Sequence, residues 1–185
     1  MSALVRRISW PGKASEQEVI EREWIVTNGL GGYASGTVAG LITRRFHGLL
    51  IAALPSPYGR RMYLNDVAEQ LRFGDGKVVQ LGGEHRAHSE VVVYGRDYLR
   101  EFRLEQGLPV WTWDINGITI EKRLLLPYRQ NTVIVKYQML KGDGNVLLEL
   151  RPAMHFRPHE GVLGSLLNEP YQLRVVGDRY EFASN

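Results

Sequence analysis

The sequence contains no cysteine, so it can form neither a disulfide framework nor a thiolate metal site. That fits a cytoplasmic protein, which is the expected location. No apolar run approaches the roughly 18 residues that a membrane span needs. The segment after Arg6 and Arg7 is Trp10-Pro11-Gly12 rather than the apolar core of a secretory signal. No membrane partner is expected. Blocks of one-signed charge are missing too: the formal net charge is +3, but the cations are interspersed along the chain and are mostly arginine. A guanidinium serves carboxylates, sugar hydroxyls and aromatic faces as readily as phosphates, so nucleic acid is not an expected partner either. Helix patterns are scarce, and no alternation of strand and helix suggests a parallel sheet.

What the sequence does have is a period of two. Trp111, Trp113 and Ile115 alternate with Thr112 and Asp114, and Val133, Val135, Tyr137 and Met139 alternate with Thr132, Lys136 and Gln138. Each run reads as a strand with one buried face. Asn116-Gly117, Gly142-Asp143-Gly144 and Phe73-Gly74-Asp75-Gly76 supply glycine-bearing turns between such runs. Short strands at this spacing predict an all-β fold, an antiparallel sandwich or barrel with at most one or two short helices. Ser15 with Glu18 has capping-box spacing and predicts one of them before the strand-like Trp24-Ile25-Val26. Residues 1–185 are read as one domain.

The segment "TNGLGGYASGTVAGLITRRFHGLLIAA" (27–53) contains Gly29-Leu30-Gly31-Gly32-Tyr33-Ala34, which fits a dinucleotide-loop pattern. Its surroundings do not. Ser35 to Gly40 is poor helix material, and no carboxylate stands about 20 residues further on where a ribose ligand would be needed. Neither does Gly-Lys-Ser/Thr follow, so no nucleotide cofactor is expected. Histidines are as weakly placed for a metal. Pro158 lies between His155 and His159, and His85 and His88 read as loop residues, so no metal is expected. Glycoside cleavage takes two carboxylates, and the close pairs are Asp66 with Glu69 and Asp97 with Glu101. Solvated strand edges and salt bridges to Arg96 and Arg100 are the plainer account of both, and no catalytic residue is assigned.

The remaining cluster is Thr43-Arg44-Arg45-Phe46-His47-Gly48. As a strand it would place Arg45 and His47 on one face and Arg44 and Phe46 on the other. It lines either a polar groove or domain contact, or it pairs with Glu21, Glu23 or Asp66.

"EWIVTNGLGGYASGTVAGLITRRFHGLLIAA", then "RRMYLNDVAEQL", "FRLEQGLPVWTWDINGITIEKRLLLPYRQNTVIVKYQML" and "LLELRPAMHFRPHEG", closely resemble the N-terminal domain of bacterial and archaeal glycogen debranching enzymes of the amylo-α-1,6-glucosidase type. The resemblance covers Glu21 to Gly161. It implies a glucoamylase-type N-terminal super-sandwich ahead of an (α/α) barrel that carries the hydrolytic carboxylates. A chain of 185 residues of mostly strand cannot hold that barrel. The expectation is therefore a non-catalytic sandwich in a longer glycoside hydrolase, partnered by the barrel in cis or in trans and by α-glucan such as glycogen or maltooligosaccharide. Arg44, Arg45, His47, Tyr33 and Phe46 are the candidate substrate or domain contacts, with Tyr58 as a further stacking residue. The alternative is a freestanding carbohydrate-binding module with Trp111 and Trp113 as its platform, or a docking subunit.

Overall fold

A computed structural model describes residues 5–84, 90–161 and 170–184. The elements run β1 (Val5–Ser9), α1 (Glu16–Glu21), β2 (Glu23–Thr27), β3 (Tyr33–Thr37), β4 (Gly48–Ala53), β5 (Arg60–Phe73), β6 (Val78–Glu84) and β7 (Val92–Tyr94). They continue with β8 (Leu99–Glu105), β9 (Leu108–Ile115), β10 (Ile118–Leu125), β11 (Ile134–Lys141), β12 (Val146–Pro158), β13 (Gln172–Val176) and β14 (Arg179–Ala183). Every pairing is antiparallel. One sheet has the order β1-β8-β9-β10-β11, and the larger one has β2-β3-β4-β5-β6-β7 with β12 also on β5. β13 and β14 form a separate hairpin, tied to β12 by the Tyr171 hydroxyl, which accepts the Phe156 N–H, and by stacking of the two rings. This is the expected all-β sandwich, with one short α-helix and a 3-10 turn at Arg96–Tyr98.

The period of two does the packing. On β9, Trp111, Trp113 and Ile115 are buried, and on β2, Trp24 and Val26 are buried between exposed neighbours. Trp24 and Trp111 meet edge to face across the two sheets, with ring centroids 5.4 Å apart and planes at 84°. Their indole N–H groups donate to the carbonyls of Thr37 and Val38, 3.1 and 2.9 Å away, so neither polar atom is wasted in the core. The outward face of β8 to β10 carries an ion network instead, in which Arg103 pairs with Glu101, Glu105 and Glu121, and Arg123 with Glu105 and Glu121.

Two local expectations change. Asn116-Gly117 does close the β9–β10 hairpin, with both residues at positive φ, and Gly74 to Gly76 turns β5 into β6. Gly142-Asp143-Gly144 closes no hairpin: β11 pairs with β10 and β12 with β5, so this segment crosses from one sheet to the other. Helix α1 begins after Ser15, but the Ser15 side chain makes no capping bond. Glu18 accepts instead from Trp10 Nε1 and Arg22.

The glycine run of 29–32 is the turn between β2 and β3, organised by Asn28, which is fully buried. Its Oδ1 accepts the N–H groups of Leu30 and Gly32, and its Nδ2 donates to Gln130 O and Asn131 Oδ1. A side chain at Gly32 would meet Asn28 Nδ2 at 2.7 Å and the Ile51 carbonyl at 2.9 Å, so glycine is needed for close approach and not for phosphate. Asn28→Ala leaves the buried Gly32 N–H and the part-buried Leu30 N–H without this partner and is expected to cost about 2 to 4 kcal/mol. Urea unfolding of the two proteins measures it, the midpoint falling with an unchanged slope.

Candidate functional site

The cluster at 43–48 is not a strand. Residues 43–47 form a turn, with the His47 N–H donating to Arg44 O at 3.0 Å, and β4 starts only at Gly48. The faces assigned by strand alternation are therefore wrong, because a turn groups its side chains differently from a pleat. Arg44 and His47 go one way and Arg45 and Phe46 the other.

Arg44 donates to Glu23 Oε1 at 2.5 Å, and His47 Nε2 lies 3.6 Å from the same oxygen. His47 is only 3% exposed. Its Nδ1 accepts the Thr43 N–H at 3.3 Å, a bond available only while that nitrogen carries no proton. Burial pulls the His47 pKa below its usual range, with Arg44 adding to this and Glu23 opposing it. The plainer reading, pairing with Glu23, holds for these two residues.

Arg45, Phe46 and Tyr33 gather at one end of the larger sheet with residues from the end of β12. The Arg45 guanidinium sits 4.7 Å above the Phe46 ring and reaches the Glu160 carbonyl at 3.5 Å. His159 lies 6.0 Å from the Phe46 ring and 6.5 Å from that of Tyr33, nearly perpendicular to the latter. Arg60 adds a cation at the rim, its Nε donating to Gly31 O. Tyr58 is exposed in the turn between β4 and β5.

A buried cation holds this edge. Arg157, 4% exposed, donates through Nη2 to Arg45 O at 2.7 Å and through Nη1 to the carbonyls of Pro158, His159 and Gly161. No carboxylate pairs with it among the described residues, and its Nε has no partner. Burial pulls its pKa down, and the neighbouring Arg45 cation adds to this. Tyr33 in turn is pushed up by burial, with Arg60 and Arg157 opposing the shift, so it stays a neutral hydroxyl. Asn28, Arg60, Arg157, His159 and Glu160 were not identified as parts of this arrangement from sequence. The one local sign was the polar "RPHEG" ending an apolar strand.

The other candidates settle as follows. Asp97 pairs with Lys13 and Arg96, and Glu101 with Arg7 and Arg103, an ordinary solvated set. Arg100 takes no part in it, donating instead to main-chain carbonyls. Asp66 and Glu69 are no solvated edge. Glu69 is buried between the sheets, where it pairs with Lys122 and accepts from the Tyr137 hydroxyl. Trp111 and Trp113 are core residues, which removes the exposed sugar platform expected of them. His155 and His159 lie on and just after β12, and no group of three or more metal-binding side chains occurs among the described residues. His85 and His88 lie outside the described residues.

These features define an antiparallel β-sandwich domain with an aromatic and cationic edge. A family model described as "Glycogen debranching enzyme N terminal" matches residues 22–183, and the chain belongs to that family. The match extends beyond Gly161, through the β13–β14 hairpin. No curated protein and no solved structure matches the chain.

The buried neutral His47 sets a pH dependence. Its folded pKa is lowered, so between that value and about 6.5 the unfolded chain binds more protons, and stability rises with pH through this window. Acidification through it loses stability. His155, also lowered by burial, contributes with the same sign. His47→Gln is expected to flatten part of the slope of unfolding free energy between pH 5 and 7, measured in chemical denaturation series.

Proposed function

We propose that this chain is the non-catalytic N-terminal sandwich of a glycoside hydrolase acting on glycogen-type α-glucans, and that its Tyr33, Arg45, Phe46 and His159 edge contacts the glucan at the catalytic cleft. The observation that carries the glucan contact is the edge itself: an aromatic ring 37% exposed, a guanidinium over it, and a buried Arg157 that fixes the turn bearing both. A pyranose ring stacks on an aromatic face, while guanidinium, imidazole and phenol groups hydrogen-bond its hydroxyls. Among the described residues the edge contacts one carboxylate, Glu160, beside His159, where glycosidic hydrolysis takes two, which favours binding over cleavage.

The catalytic partner in this reading is an (α/α) barrel, in cis or in trans. Support comes from Ile134, Met139 and Leu140 on β11 and Leu147 and Leu150 on β12, which remain exposed on two edge strands joined by residues 142–145. Exposed apolar side chains on neighbouring edge strands favour a covering domain.

The test is made in the assembled enzyme with a branched dextrin. Arg45→Ala with Phe46→Ala is expected to raise KM about tenfold and leave kcat within about twofold, the loss of one stacking and hydrogen-bonding contact. Arg44→Ala, whose partner is Glu23, is expected to leave both unchanged. An unaltered KM in the Arg45 and Phe46 variant would remove the glucan contact from the proposal.

A further inference from the structure

The larger sheet forks at β5. β12 pairs with it from Arg61 to Phe73, occupying one edge. The other edge is shared: β4 pairs with the strand up to Leu64, and β6 pairs with it from Glu69. Residues 65–68 have no partner strand on that side among the described residues, and a cavity of about 230 Å³ opens there. The loop after β3 and the end of β6 close its flanks. These approach through glycines, for a side chain at Gly40 (φ +79°) would stand 3.0 Å from Gly82 Cα.

The cavity has an apolar wall and a polar floor. Trp24, Trp111 and Trp113 line the wall. Since the indole N–H groups of Trp24 and Trp111 are already bound to carbonyls, these two offer ring surface alone. On the floor, Lys122 is the one charged residue on the inward face of β10, between the buried Ile120 and Leu124. It pairs with Glu69 from the opposite sheet and lies 5.3 Å from the Trp111 ring centroid. Asp66 stands beside them, and Glu84 and Arg151 add a carboxylate and a guanidinium to the lining. Asp66 forms no salt bridge with any described residue and feels Lys122 and Glu69 electrostatically. Burial pushes its carboxyl above the usual range, so an ionised Asp66 costs stability where it stands.

This chemistry selects its ligand. Metal ions lack the needed donors among the described residues. Anions meet three carboxylates, Asp66, Glu69 and Glu84, against two cations, Lys122 and Arg151. The volume is below the roughly 300 Å³ at which pockets for drug-sized molecules begin, so a single ring fits and a chain does not. We infer that the fork of the larger sheet is a second carbohydrate site, taking one neutral hexose unit whose hydroxyls donate to Asp66 and to the unpaired edge of β5 and accept from Lys122. The choice of a gluco-configured sugar rests on the glucan reading above, whereas the cavity is built from residues other than the aromatic edge.

Nuclear magnetic resonance of the four tryptophan indole N–H groups tests this in the chain titrated with glucose, maltose and maltoheptaose. The signals of Trp24, Trp111 and Trp113 are expected to shift saturably, while that of Trp10, which does not line the cavity, stays in place. A response to glucose identifies a free-monosaccharide site, and a response confined to maltose and maltoheptaose a chain-end site. Asp66→Ala is expected to weaken binding about tenfold, the value of one hydrogen bond. Asp66→Asn, which keeps the shape, is expected to weaken it in the same direction, and Phe46→Ala to leave the shifts intact. The inference falls if no sugar moves these signals, or if both Asp66 variants bind as the parent does. Sugar binding that vanishes with Phe46→Ala and never touches the three signals overturns the cavity and leaves the edge reading standing.

Discussion

The contact between Trp24 and Trp111 is the joint on which the sandwich turns. It brings β2 of one sheet against β9 of the other, and the two indole N–H groups reach the same short segment, Thr37 and Val38, at the end of β3. Each ring therefore contributes apolar area and one satisfied buried donor, the condition under which a large polar-tipped side chain belongs in a core. Phe102 extends the cluster, 5.2 Å from Trp111. Fixing the end of β3 also fixes where residues 38–42 run, and that path forms one flank of the cavity beside β5.

Two buried cations show different solutions to one electrostatic problem. Lys122 is satisfied by a carboxylate from the facing sheet, so its burial ties the layers together. Arg157 has no carboxylate partner among the described residues and distributes its charge over four carbonyl oxygens, three just after it where β12 ends and one in the turn at Arg45. The second arrangement rigidifies a loop rather than a layer. It is why the edge that carries Tyr33 and Phe46 has a defined shape although its members come from three separate segments.

Much of the fold was legible because strand alternation and turn chemistry are local. The buried faces of β2 and β9 and the turns at Asn116-Gly117 and Gly74 to Gly76 follow from residue order alone. Gly142 to Gly144 carries an equally good turn signal and yet crosses between sheets, because a turn motif records local backbone freedom and not which strand lies beyond it. The site was legible in part. Tyr33, Arg45 and Phe46 come together, but Arg44 and His47 belong to Glu23, since residues 43–47 turn instead of extending.

By itself, the sequence determined the all-β class, the turn chemistry of the glycine run, and the family, each of which is written in neighbouring residues. Only the tertiary structure decided the partners. Arg157 meets Arg45 across 112 positions, Tyr137 meets Glu69 across 68, and Asn28 binds Gln130 across 102. Side chains so far apart are joined by sheet order and register, and both depend on which apolar faces the whole chain can bury together.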